Sequence, residues 1–317
     1  MITSTLVVTT YNRAALLARA LASIAASHAD PTRYEVIVVD NNSSDDTAQA
    51  WSVFTQAHPT LPFRYLFEPR QGLSHARNAG LAAARGQHIA FMDDDQEIDA
   101  GYLRALPAAF ERTGAACLGG RIFYRHADAL PPWLTPLIDR IGQIDLGDAT
   151  LTLGAGAPYL KGGNIAFDTT ALRGLGGFDP LLGRNGNTLG AGEEDAVQDQ
   201  LRGAGRVIAY CPELVQFNVL LPEKLHKRYW RAQAYWGGRS EFQRSHGQWQ
   251  GAVQWAGAPR ALYRSLLSGA GRWAAAVLTL DSVRSFQRER DVRGLLGNIA
   301  EARALAAASR AAPGNRP

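Results

Sequence analysis

The residues Ile89-Ala-Phe-Met-Asp-Asp-Asp95 join an unbroken apolar run to three adjacent carboxylates. Such a run reads as a strand buried on both faces, and the charges fall where it leaves the sheet. Three like charges on consecutive residues repel one another and gain nothing in a core, so they call for a neutralising cation. A hard divalent ion such as Mg²⁺ binds through one or two carboxylates and leaves its other positions to water and phosphate oxygens. The same three residues also suit a solvated turn or the cap of a following helix.

The chain before this run alternates strand, polar turn and helix. Thr5-Leu-Val-Val-Thr9 predicts a buried strand, Thr10-Tyr11-Asn12-Arg13 its polar exit, and an Ala- and Leu-rich stretch the helix behind it. Tyr34 to Val39 repeats the pattern, with Asp40 at the strand tip, a polar exit to Thr47 and a helix to about Ala57. One of Ser43, Ser44 and Asp45 is expected to cap that helix. A third strand is read at Phe63 to Phe67, followed by Gly72-Leu-Ser-His-Ala-Arg77-Asn-Ala-Gly80 and a helix to about Arg85. Strands alternating with helices predict an α/β fold with a mainly parallel, doubly wound sheet. Ligands bind such sheets at the C-terminal ends of strands, facing helix N-termini. No glycine-rich dinucleotide fingerprint and no phosphate loop with its lysine follows the first strand, which argues against a nicotinamide enzyme or an ATPase.

With 317 residues, the chain can bury a large α/β domain plus an appendage. Its net charge of +4 leans weakly towards anionic partners. Cys117 and Cys211 stand far apart without metal-ligand spacing and read as buried hydrophobes suited to a reducing cytoplasm. The N-terminus does not read as a signal peptide. The apolar stretch Trp273 to Leu280 is too short to span a bilayer.

Taken in register, Val-Val-Thr-Thr-Tyr-Asn-Arg13, Val-Val-Asp40-Asn-Asn-Ser-Ser-Asp-Asp-Thr, Gly72-Leu-Ser-His-Ala-Arg-Asn-Ala-Gly80 and Ile89-Ala-Phe-Met-Asp-Asp-Asp95 resemble glycosyltransferase family 2, whose members have the GT-A fold and invert the anomeric centre. Lys161-Gly-Gly-Asn164, Gly176-Gly-Phe-Asp179 and Gly192-Glu-Glu-Asp195 are similar to the acceptor half of the same family, in the same order. The resemblance covers roughly residues 3 to 240. It implies a catalytic domain over residues 1–220, with nucleotide-sugar binding in about 1–100 and the acceptor side in about 101–220. Residues 221–317 would form a helical C-terminal extension.

By this resemblance Thr10, Tyr11 and Asn12 line the nucleotide pocket, Asp40 accepts from the base, typically a uracil, and Arg77 lies beside the nucleotide and the aspartates. Asp93 meets the ribose or a neighbouring Arg and shares the metal with Asp95. That metal is Mn²⁺ or Mg²⁺, bridging the donor diphosphate as a Lewis acid. Asp94 stays ambiguous, because three consecutive aspartates admit two registers. On the acceptor side stand Asn164, Glu193 and Trp133. Beside Pro131 and Pro132, Trp133 reads either as a sugar-stacking ring or as a packing anchor. The resemblance makes Asp195 the base that takes the acceptor's proton, and Glu194 its orienter or that of the acceptor. Carboxylates opening a helix are also plain dipole caps. The glycine-rich stretch from Leu181 to Gly192 is expected to order when donor binds.

The chain departs from the pattern past Ala209. Where many relatives place a His, Leu214-Val-Gln-Phe-Asn-Val219 offers Gln216 and Asn218, with His226 following in a basic, helical stretch. The Gln-x-x-Arg-Trp motif of processive relatives is absent, which favours addition of a single sugar. From Lys224 to Trp236, basic residues interleave with aromatic ones; between Arg260 and Arg293 seven arginines face Asp281, Glu289 and Asp291. This composition predicts contact with an anionic membrane surface and gives no motif for nucleic acid.

The expected protein is a metal-dependent glycosyltransferase moving one sugar, UDP-linked by preference, to a hydroxyl acceptor. Cell-surface polysaccharide or glycolipid synthesis would be its pathway class, and the cytoplasm or inner membrane face its place. A nucleotidyltransferase and a noncatalytic nucleotide-sugar-binding protein are the alternatives. The first should carry a basic phosphate-binding loop after the opening strand, which is not seen.

Overall fold

A computed structural model describes residues 1–125, 130–141, 143–186 and 188–311. The strands are β1 (Ser4–Thr10), β2 (Tyr34–Asp40), β3 (Phe63–Phe67), β4 (His88–Asp93), β5 (Gln96–Ile98), β6 (Cys117–Arg125), β7 (Leu151–Thr152), β8 (Ile165–Asp168), β9 (Ile208–Val219), β10 (Gln254–Trp255) and β11 (Ala258–Pro259). The helices are α1 (Ala14–Ala25), α2 (Thr47–Ala57), α3 (Leu73–Ala83), α4 (Tyr102–Thr113), α5 (Thr135–Ile141), α6 (Thr169–Gly174), α7 (Glu193–Gly203), α8 (Lys227–Ser245), α9 (Arg260–Leu278) and α10 (Ser282–Ala311).

The chain divides into two compact units, one of residues 1–129, 137–181 and 193–221, the other of residues 130–136, 182–192 and 222–317. The first unit is built on a sheet of order β3-β2-β1-β4-β8-β6-β9-β5, with β7 pairing to β9. Strands β1 to β4 are parallel, as the alternation in the sequence requires. Beyond β4 the sheet is mixed: β8 runs antiparallel to β4 and to β6, while β6 and β9 are parallel.

Both faces of the sheet are covered. Leu6 and Val8 of β1, Val36 and Val38 of β2, and Ala90 and Met92 of β4 bury against α1 and α4 through Leu17, Leu21, Ile24, Leu103 and Leu106. Val7, Ile37, Val39, Ile89 and Phe91 point the other way, into a layer holding Ala76 and Leu81 of α3, Leu172 of α6, and Val197 and Leu201 of α7. This period of two inside continuous apolar runs explains why the strands read as apolar rather than alternating.

The register of β6 on β9 slips beyond Gly119, so that Gly119 pairs with Tyr210 but Arg121 pairs with Val215. The surplus on β9 forms a bulge that contains Pro212, which has no N–H to give a ladder. Gly120 sits against it: a Cβ there would stand 2.0 Å from the Leu214 carbonyl oxygen and 2.8 Å from that of Cys211.

In the second unit α8 and α10 run in the same direction, since Arg231 meets Glu289 and Arg239 meets Glu301. Their backbones touch. A Cβ on Gly238 would lie 1.9 Å from the Gly294 carbonyl oxygen, and one on Gly297 would lie 2.0 Å from that of Tyr235. Helix α9 packs against α10 through Gly269, near Val292 and Leu295, and joins Leu262 to a cluster of Phe242, Ala258, Ile299 and Ala302. At the end of α9, Leu280 holds a left-handed φ of 56°, a position where glycine avoids a cost of about 1 kcal/mol or more. No helix among the described residues is long and apolar enough to cross a membrane.

Because the Gly120 contact is with backbone atoms that cannot swing aside, Gly120→Ala should cost about 1–3 kcal/mol. Calorimetry would register this as a Tm lower by several degrees; an unchanged Tm would mean that the bulge yields.

Candidate active site

The parallel register brings the strand tips level. Thr10 ends β1 beside Asp40 of β2, and Thr9 lies beside Asp93 of β4. Between β1 and β4 the strand order reverses, so the loops that follow them diverge and leave a crevice.

The two loops on the β2 side are fastened to each other. Asn12, at a left-handed φ of 52°, accepts from the Ser44 backbone N–H at 2.7 Å, while its own N–H donates to Ser43 Oγ at 2.9 Å. Asp45 accepts from Ala14 N, at the start of α1, and from Thr47 N, at the start of α2. One carboxylate thus serves two helix N-termini, which both the unpaired N–H groups and the dipoles favour. Asp46 occupies the cap position of α2 and makes no cap hydrogen bond with its side chain. Asp40 is buried and accepts from Ser43 N at 2.8 Å and from the Tyr65 hydroxyl. Burial and then the Asp40 carboxylate push the Tyr65 phenol up. Tyr11 stands exposed at 37%.

The three aspartates part company. Asp94 is buried, accepts from Thr10 Oγ1 at 2.9 Å and from Arg13 Nη1 at 3.0 Å. Burial pushes its carboxyl up to about 6; Arg13 opposes the shift and Asp95 adds to it. Asp95 is nearly buried, with Oδ2 at 3.9 Å from Arg13. Asp93, whose side chain is 34% exposed, lies 3.4 Å from Arg77 Nη2. Gln96 holds the turn in place: its Oε1 accepts from Asp93 N at 2.9 Å and its Nε2 donates to Asn218 Oδ1 at 2.7 Å. Asn218, one of the two residues found where many relatives were expected to carry a His, thus uses its side-chain carbonyl to support the aspartate turn. His226 is exposed before α8 in the second unit.

Arg77 joins this turn to the start of α7. Its side chain is 2% exposed, with Nη1 2.8 Å from Glu193 Oε1 and 3.9 Å from Glu194 Oε2. Phe91 and Phe178 flank the guanidinium at 5.9 and 5.5 Å. Burial raises the Glu193 carboxyl to about 8, helped by Glu194 and opposed by Arg77. Glu194 Oε1 accepts from Gly162 N at 3.2 Å, and Glu194 Oε2 has no hydrogen-bond partner among the described residues. A Cβ on Gly162 would stand 2.8 Å from Arg77, and one on Gly163 would stand 1.9 Å from Gln96. The two glycines make room for the protein's own side chains.

Several of the residues expected to make ligand contacts are engaged within the fold. Asn164 is 1% exposed: its carbonyl accepts from the Tyr102 hydroxyl, and its amide donates to the carbonyls of Arg121 and Leu214. It fastens α4, β6 and β9 and has no free group for an acceptor. Glu193 is 3% exposed and faces Arg77, again an internal role. Trp133 packs edge-on to Phe286 within the second unit, with Lys227 over its ring, which matches the anchor reading. Asn12 uses its side-chain carbonyl and backbone N–H to fix a loop, since both are taken by Ser43, Ser44 and Asp45. Asp195 follows Glu194 about 100° further round α7, so it leaves the face that Val197, Gln198 and Leu201 bury. Arg13 and Gln96 were unassigned in the sequence. Their signal was position alone, each lying immediately beyond a charged or polar strand tip.

Five carboxyl groups at this crevice face two guanidiniums. Surplus negative charge on hard oxygens fits a divalent cation, and Asp93 and Asp95 are the residues that would hold it. Among the described residues no three His, Cys, Asp or Glu form a complete cage. A bound ion would therefore rely on phosphate oxygens and water for its remaining ligands, which is the habit of Mg²⁺.

A parallel, doubly wound half joined to a mixed half, with acidic residues at the junction, is the arrangement of the GT-A fold. The chain belongs to glycosyl transferase family 2, whose model matches residues 5–174. The succinoglycan biosynthesis protein ExoM of Rhizobium meliloti is 30% identical over 215 residues, 65% of this chain and 63% of that one. The Campylobacter jejuni GalNAc(5)-diNAcBac-PP-undecaprenol beta-1,3-glucosyltransferase is 35% identical over 100 residues, 32% of each chain. These matches thus span less than two thirds of the relatives' own lengths. Among solved structures, the Pyrobaculum calidifontis mannosyltransferase PcManGT, in complex with GDP-Man and Mn²⁺, aligns with a TM-score of 0.57 at 18% identity, over 98% of this chain and 76% of that one. S. aureus TarS 1-349 in complex with UDP-GlcNAc gives 0.56 at 16%, over 98% and 92%.

Because the Glu193 carboxyl is raised from 4.5 to about 8, the stability it contributes is full below pH 4.5 and is lost as pH rises through about 8. Glu193→Gln, which stays neutral, should flatten the fall of Tm across that window. Arg77→Ala strands carboxylates without their partner and should cost about 3–5 kcal/mol. Parallel Tm–pH profiles for wild type and Glu193→Gln would disprove the assignment of the raised carboxyl.

Proposed function

We propose that this protein is an inverting, metal-assisted glycosyltransferase that moves one sugar from a nucleoside diphosphate donor to a hydroxyl acceptor, in polysaccharide or glycolipid assembly. The observation that carries the reading is the Asp93–Arg77–Glu194 chain of contacts, which joins the strand-tip aspartates to the acceptor-side helix. The relatives' names support the pathway class, and the ligands of the solved structures support a sugar-nucleotide donor.

In this reading the exposed Tyr11 ring stacks on the base, Asp40 accepts from it, and Thr10 and Asp94 close the pocket floor. A base N–H suits the Asp40 carboxylate, which favours UDP. Arg13 and Arg77 hold the aspartates in place from either side. The metal, when bound at Asp93 and Asp95, supplies Lewis-acid compensation for the charge that builds on the leaving diphosphate.

The proton acceptor moves by one residue from the sequence choice. Glu194 lies on the inward side of α7, 3.9 Å from Arg77, and its Oε2 has no hydrogen-bond partner among the described residues. Glu194 takes the proton from the acceptor hydroxyl as its oxygen attacks the anomeric carbon. The carbon–oxygen bond to the diphosphate breaks on the opposite face, and the nucleoside diphosphate leaves with the bonding pair. The anomeric configuration inverts. Asp195, half-buried on the helix side that carries Asp199, is left to cap the helix.

Calorimetric titration with UDP, GDP, dTDP and CDP, each with Mn²⁺ and with EDTA, should show one preferred nucleotide, UDP, whose binding needs metal and is lost in Asp95→Ala. No binding by any nucleotide would favour a fold without a working site. With the matching donor, Glu194→Gln should lower kcat by about 10²–10⁴-fold and keep nucleotide affinity, while Asp195→Asn should lose far less. The reverse order of losses would return the base to Asp195.

A further inference from the structure

Helix α9 contains no acidic residue, and its outer face is built in two halves. Arg260, Arg264, Leu267, Gly271, Ala274 and Leu278 follow one another at helical spacing, and all are exposed. The opposite face, with Leu262, Gly269 and Ala276, is buried. Arg272 is exposed about 100° further round from Gly271, on the flank between the outer stripe and the buried face, and bonds to Ser268. Around the end of the helix, Val277, Leu278 and Leu280 are 49%, 84% and 92% exposed, and Leu267 is 75% exposed one face-repeat earlier.

Two comparisons within the unit set this face apart. Arginines at the α8–α10 packing have partners within it: Arg231 and Arg293 pair with Glu289, Arg239 with Glu301, and Arg290 donates to Gln233. Arg260, Arg264 and Arg272 have no ion-pair partner among the described residues. Leu280 also occupies a left-handed backbone position at which glycine would be unstrained. A solvated turn gains nothing from a strained, bare leucine there.

We propose that α9 and the turn after it form a docking surface for an anionic phospholipid membrane. The helix lies along the headgroups, with Arg260, Arg264 and Arg272 on lipid phosphates and Leu267, Val277, Leu278 and Leu280 at the acyl boundary. Charge complementarity selects the partner: the unmatched cations suit a bilayer of net negative charge, and the apolar tip suits its interior. A second copy of the chain would bring three more unmatched arginines to the same face. The helix does not span the bilayer, consistent with its length and charge.

The test is co-sedimentation of the full-length protein with vesicles of phosphatidylcholine alone, or of phosphatidylcholine mixed with phosphatidylglycerol, at low and high salt. The protein should pellet with the anionic vesicles only, and less so at high salt. Each of Arg260→Gln, Arg264→Gln and Arg272→Gln should weaken binding about fivefold. Leu278→Ser combined with Leu280→Ser should weaken it about tenfold or more. Leu280→Gly should raise Tm, by relieving the backbone, while lowering vesicle binding, a pair of opposite signs that a misfolded variant cannot mimic. No pelleting with anionic vesicles at low salt, or variants that bind as wild type does, would overturn the proposal. So would a dimer in solution that the leucine changes dissolve, because the face would then belong to a second copy.

Discussion

A buried guanidinium is the part on which the site depends. Arg77 is out of water, and what holds it there is a set of carboxylates from distant parts of the chain: Asp93 from a strand tip, Glu193 and Glu194 from the opening of α7. Neither sign could be buried alone at tolerable cost. The pairing therefore fixes where α7 begins relative to β4, and with it the distance between the aspartates after β4 and the carboxylates that open α7. Burial that exceeds compensation then raises the Glu193 carboxyl to about 8.

Around this pair the sequence motifs act as supports as often as contacts. Gly162 and Gly163 are small because Arg77 and Gln96 fill the space a side chain would need. Gln96 in turn ties Asp93 to Asn218, so β9 stabilises the aspartate turn. Asp45 and Asn12 bind the first two polar loops together, which holds the exposed Tyr11 in a defined place.

The first four strands were legible because each is an apolar run that ends in a change of polarity, and the structure closes them within a residue or two of those ends. The aspartate turn could be read for the same reason, whereas Arg77, on α3, was placed beside it only by the family resemblance. Residue type does not reveal whether a polar or aromatic group is engaged internally, as Asn164, Glu193 and Trp133 are; Asn164 makes its hydrogen bonds inside the fold. The choice between Glu194 and Asp195 turns on the phase of α7, which Val197 and Leu201 set and which three consecutive acids conceal. The bulge at Pro212 and the touching backbones of α8 and α10 also lay beyond reach, since each depends on contacts between segments remote in sequence.

The parallel course of α8 and α10 has a consequence for how this protein can change. Two helices pointing the same way need a connection that travels back the full length of the first, and α8 and α9 each have 19 residues. At 1.5 Å per residue, α9 covers about 28 Å, so it returns the chain to the level at which α10 must start. Its length is therefore held by geometry, while its outward residues are held by nothing inside the unit. Descendants of this chain can rewrite that face by substitution at little risk to the fold, whereas insertions or deletions in the same helix would throw the glycine contacts of the pair out of phase.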